Sequence, residues 1–184
     1  YDRGLAMVVD QGDTPLFLGA IHRVLFGSSL DDVAASARSV DVGVVEDEQH
    51  AAVAGLGPGT LVATDGDRWL RLDVGSQPDR VEVELLHDRV VPALAHGPTR
   101  VTHHHTAADA LGHASPGIAT AILLPAPRFA QVQRVVCADR LLPEKATSFQ
   151  PKPPLGVLLR HVRDEDDEPS PPRPRPATPS RRRT

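Results

Sequence analysis

Three consecutive histidines, His103-His104-His105, bring together the side chains in this chain best suited to joint chemistry. Successive side chains in a strand alternate faces, so His103 and His105 point one way and His104 the other. A His-x-His pair on one face is a two-point metal ligand set, which Asp109 or His113 on the following helix could complete. The plainer reading is a half-exposed strand end that needs no metal. His22 and Arg23 form a second polar pair after the apolar Leu16-Phe17-Leu18, and a strand leaving the core would account for them.

A proline-bounded loop at 142–153 is the other candidate. It holds Lys145 and Lys152, the only two lysines among 20 basic residues. A lysine ammonium is a compact point charge that binds phosphate or carboxylate and shifts its pKa when buried, which arginine does not do. Thr147 and Ser148 add hydroxyl donors beside these cations, completing the elements of an anion-binding loop. A rigid connector between two elements would look the same in sequence.

Other features are set aside. Gly55-Leu56-Gly57-Pro58-Gly59 lacks the Lys-Ser/Thr ending of a phosphate loop, and Pro58 removes a backbone donor, so it reads as a turn. No EF-hand spacing follows Asp65-Gly66-Asp67. Cys137, on an apolar helix with no base nearby in sequence, reads as a buried spacer. No Gly-x-Ser-x-Gly elbow occurs, which excludes hydrolase chemistry of that design.

The elements that must position these residues follow from periodicity and punctuation. Strands are expected at 5–9, 16–25, 40–45, 100–105, 118–124 and 156–162. The segments 61–64 and 69–72 flank Asp65-Gly66, giving a β-hairpin at about 60–74. Ser29 with Asp32 three residues on reads as a helix cap leading 33–37. A short helix at 47–56 precedes the glycine-rich turn. Val83, Leu86, Val90 and Leu94 repeat at three and four residues, predicting an amphipathic helix over 79–94. Further helices are expected at 106–113 and 128–141, the latter with Phe129, Val132, Val135 and Val136 inward. This alternation argues an α+β fold, a mixed sheet flanked by helices, as a single domain over 1–163.

Composition bounds the rest. The 184 residues, 40% hydrophobic and 24% charged, suffice for one domain with a real core. A net charge of -4 provides no basic field for nucleic acid or an anionic membrane, and no 18-residue apolar run exists to span a bilayer. A lone cysteine excludes an internal disulfide and fits a reducing compartment, so a cytoplasmic location is expected. The opening at Tyr1, running at once into apolar Leu5 to Val9, reads as a cut end. At 164–184 an acidic run precedes a Pro/Arg-rich stretch with no apolar residue larger than Ala177, which predicts a disordered tail.

Arg100-Val101-Thr102 before His105, the helix at 107–111, the strand at 121–124 and the helix at 132–138 form a recognisable succession. With Pro143, Lys145, Thr147, Phe149, Pro151, Lys152 and Gly156, it resembles the C-terminal part of the bacterial domain of unknown function 1015 family. His22 and Arg23 match that family's Pro-Thr-His-Arg strand end, whereas Ala20 and Ile21 do not. His103 stands where the family has tyrosine, and Ala146, Ser148 and Gln150 replace its serine and aromatic residues. Members are about twice as long, with an N-terminal half carrying a Gly-His-His-Arg-Tyr motif like that of ParB-like proteins, some of whose relatives are small-molecule kinases.

The resemblance therefore implies one half of a larger protein, whose missing N-terminal half is its first partner. It carries over an anion-binding role for Lys145, Thr147 and Lys152, with His22, Arg23 and His105 as polar neighbours. The implied ligand is a phosphate- or carboxylate-bearing small molecule, and the implied chemistry is phosphotransfer that the chain does not perform alone. The alternatives are a non-catalytic protein interaction module and a metal site at His103 and His105.

Overall fold

The computed structural model describes residues 8–152. The strand expected at 156–162, the tail at 164–184 and the first three residues of the strand expected at 5–9 lie outside them. Among the described residues, no helix is long and apolar enough to cross a membrane.

Six strands form the main sheet: β2 (His22–Phe26), β3 (Gly43–Asp47), β4 (Thr60–Thr64), β5 (Trp69–Asp73), β6 (Arg100–His104) and β7 (Ala119–Leu123), in the order β3-β5-β4-β7-β2-β6. β1 (Phe17–Gly19) and β8 (Ser148–Gln150) pair separately as a two-stranded ladder. The α+β class is that expected, but among the described residues every ladder is antiparallel rather than mixed. The reason lies in one insertion. β6 and β7 both run antiparallel to β2 and hence parallel to each other, with α4 (Ala107–Leu111) connecting them, yet β2 lies between them, so the two pair with it and not with each other.

Local chemistry explains most element ends. Ser29 begins α1 (Leu30–Ser39): its hydroxyl oxygen accepts the Asp32 backbone N–H at 3.1 Å, while Asp32 Oδ2 accepts the Ser29 N–H at 3.1 Å. The hairpin occurs as expected, joined by residues 65–68, whose turn is held by Asp65 Oδ1 accepting the Asp67 and Arg68 N–H groups at 3.1 and 2.9 Å. α2 (Gln49–Ala54) ends before the glycine-rich turn. There Gly59, at φ +80°, leaves no room for a side chain, since a Cβ would stand 2.5 Å from the Ser76 nitrogen.

The sheet is covered on both faces. Leu25, Leu61, Leu70, Leu72 and Ile122 belong to one core with Leu30, Val33 and Ala37 of α1; Val24, Val62, Trp69, Ala121 and Leu123 belong to a second with Ala52 of α2 and Ala110 of α4. Register places alternate residues of each strand on the two cores, as the two-residue period requires.

Three expectations change. The strand expected over 16–25 breaks at Ala20-Ile21 into β1 and β2, which serve different sheets. The helix expected over 79–94 does bury Val83, Leu86, Val90 and Leu94, but begins at Glu82 as α3 (Glu82–Leu85), widens to a π-turn at Leu86–Val90 and tightens to a 3-10 turn at Val91–Ala93, where Pro92 lacks the N–H an α-turn needs. In α5 (Phe129–Cys137) only Val132 and Val135 of the four expected residues are buried; Phe129 and Val136 face outward, and Cys137 is exposed rather than a core spacer. Gln131 takes the remaining inward position, with its Nε2 donating to the Arg80 carbonyl at 3.0 Å.

Candidate functional site

His22, Arg23, His103 and His104 meet at one end of the sheet, where β2 lies between β6 and β7. Arg23 opposes His103 and Ile122, and His22 opposes His104. These two registers, one residue apart, open on opposite faces.

On the first face Arg23 is completely buried, at 0% exposure. Its guanidinium donates to the Ile21 carbonyl at 2.8 Å and to the Glu144 and Lys145 carbonyls at 2.9 Å each, while its Nε is buried with no partner among the described residues. Burial lowers its pKa to about 10, opposed by the Glu144 charge. The bonds from Arg23 fold the loop over the strand and hold Lys145 in the left-handed region, at φ 53°. A fully buried cation bonded to neutral carbonyls keeps its net charge and projects it outward. His103 feels that field: burial, Arg23, Lys145 and His104 lower its pKa, and Glu144 raises it. His87, from the π-turn, belongs to the same surroundings. Its pKa is lowered by burial and by Arg23 and His103, opposed by Asp88, and its Nε2 is buried without a partner among the described residues.

On the second face His104 links two elements. Its Nε2 lies 2.8 Å from Thr102 Oγ1 and its Nδ1 2.7 Å from Asp109 Oδ2. Asp109 stands in the first turn of α4, where the Thr106 side chain caps its N–H at 3.1 Å. The His113 Nε2 lies 4.0 Å from the other Asp109 oxygen, and its ring stands 4.8 Å from that of His104 and edge-on to Phe26 at 6.3 Å. The hydrogen bond from His104 and the nearby imidazoles hold the Asp109 carboxyl below its ordinary pKa. His22 is buried here too; its Nδ1 accepts the Leu124 N–H at 3.1 Å, and burial, aided by Arg23 and His104, lowers its pKa to about 4, so it is neutral at pH 7.

The sequence candidates thus divide. Lys145, Arg23 and His103 come together on the first face. Thr147 is half-buried just before β8, and Lys152 is exposed beyond its far end, with a three-residue strand spanning about 10 Å between them. His105 is exposed past the end of β6. Asp109 and His113 gather around His104, not around the His103 and His105 pair. Strand alternation had separated His104 from its neighbours, and the i,i+4 spacing of Asp109 and His113 was readable, but their common face was not. His87 gave no signal beyond its place in an amphipathic pattern. A small cavity nearby, about 10 Å³ and lined by Ile21, Leu124, Pro125 and Ala146 among others, has room for no more than a water molecule. A ligand on the first face would sit on the surface.

No protein-family model matches the chain, and neither curated proteins nor solved structures yield a match.

Proposed function

We propose that the first face binds a compact anion, a phosphate or carboxylate group of a small molecule, through Lys145 and His103 with the charge of Arg23 behind them. One observation carries the reading: Arg23 is fully buried, yet among the described residues its bonding partners are carbonyl oxygens and none is a carboxylate. An external anion would be attracted to this charge, which the Glu144 carboxylate offsets at a distance without an ion pair among the described residues, and Lys145 supplies an exposed donor at the point where the bonds from Arg23 hold the loop. Thr147 and Lys152 extend the surface along β8, with the exposed His105 as a polar neighbour; His22, on the opposite face, is not part of it. The resemblance to the domain of unknown function 1015 family extends the reading to a site completed by further sequence, for which phosphoryl transfer is the corresponding chemistry.

The test is thermal unfolding with inorganic phosphate against chloride at equal ionic strength, because a ligand bound only to the native state raises stability. Phosphate is expected to raise Tm beyond the chloride control, and Lys145→Ala to remove that increment. An increment unchanged in Lys145→Ala, or none at millimolar phosphate, overturns the proposal.

A further inference from the structure

The second face carries a different chemistry, independent of the anion reading. We propose that His104, Asp109 and His113 form a binding site for a divalent metal ion of the zinc class. One ligand atom from each of the three residues can be chosen so that all lie within 4.8 Å of one another. A metal at about 2.0–2.2 Å from each would draw them together by small side-chain rotations. Two imidazoles and one carboxylate suit Zn²⁺ or its close neighbours Co²⁺ and Ni²⁺; Ca²⁺ and Mg²⁺ require a shell of oxygen ligands.

The surroundings hold the ligands in place. His104, 9% exposed in its side chain, is fixed by the strand, whereas Asp109 and His113, at 59% and 49%, line the solvent side. That leaves a fourth position open to water or to a donor from a bound molecule. Metal ligation through His104 Nδ1 requires the ring proton to reside on Nε2, and Thr102 Oγ1, 2.8 Å away, is there to accept that N–H. Such an outer partner is what orients a ligating histidine and fixes its tautomer. Thr106, capping Asp109, and Phe26, edge-on to His113, restrict the other two ligands. The structure thus gives the His triplet a different metal role from the one its spacing implies, through its middle member.

Tag-free full-length chain titrated with Co²⁺ alone, followed by its visible absorption, and with Zn²⁺ in competition with a chromophoric chelator tests the site. One equivalent of tightly held metal is expected. His113→Gln and Asp109→Asn should each weaken it at least tenfold, and both positions are exposed enough for the variants to fold. His105→Ala should leave it unchanged. Binding undiminished in His113→Gln, a loss in His105→Ala as large as in His113→Gln, or no uptake at 100-fold excess over protein would overturn the assignment.

Discussion

The two faces at the His22–Arg23 end of β2 both gather histidines and a carboxylate, yet they treat charge in opposite ways. On the first face a buried guanidinium is surrounded by carbonyl oxygens and by His87, His103 and Lys145, with Glu144 as the carboxylate whose charge reaches both Arg23 and His103. On the second, imidazoles gather around the Asp109 carboxylate, which shares a hydrogen bond with His104. One step along the strand separates a cation-rich surface from a ligand-like cluster. The difference shows that residue type alone does not assign a histidine its chemistry; the element packed over it does. The Arg23-bound loop covers the first face, and α4 covers the second.

The comparison is broken most severely at Arg23. Replacing it by leucine leaves the carbonyls of Ile21, Glu144 and Lys145 without their donor, and a loss of about 3 kcal/mol in urea-unfolding free energy is expected. Arg23→Lys should recover little, because a point charge cannot reach three carbonyls at once. Unchanged stability in Arg23→Leu would mean that the guanidinium does not hold the loop.

Acidification sharpens the comparison at smaller magnitude. The folded-state pKa of His22 lies at about 4, below the unfolded value of 6.5, and that of His87 is also lowered. Between those values the unfolded chain binds more protons, so the stability from neutral His22 is present above pH 6.5 and is lost as pH falls toward 4. Going from pH 7 to 5 in chelator-containing buffer should lower unfolding free energy by about 1–2 kcal/mol. His22→Asn, whose side-chain oxygen can accept the Leu124 N–H in place of Nδ1, should flatten that slope. An equally steep slope in this variant would assign the protons elsewhere.

The smallest effect concerns the second face alone. Thr106→Ala removes the cap of α4 and should lower stability by about 1 kcal/mol. It should also weaken Zn²⁺ uptake while leaving phosphate protection intact. Loss of both together would show that the two faces are coupled.

Much of the scaffold was readable from local pattern. Asp65-Gly66 between two apolar runs marked the hairpin, Ser29 and Asp32 marked the start of α1, and the spacing of Val83, Leu86, Val90 and Leu94 marked a buried stripe. The break at Ala20-Ile21 was not readable, since an apolar run looks continuous whether one sheet or two receive it. Nor was the outward turn of Val136 and Cys137 on α5, because helical periodicity gives a face without saying how wide the partner surface is.

For the candidate sites the division is similar. The amino-acid sequence by itself determined that His104 must face away from His103 and His105, that Asp109 and His113 stand four residues apart in the segment that follows, and that the two lysines stand in one loop. Those are consequences of backbone geometry within a single element. Only the tertiary structure decided that Arg23 meets the carbonyl of Glu144, 121 residues later, that His87 joins the first face, and that α4 brings Asp109 to His104. The reason is physical: these contacts depend on the register of β2 against β6 and β7, and burial of two opposite apolar cores selects that register over the whole sheet.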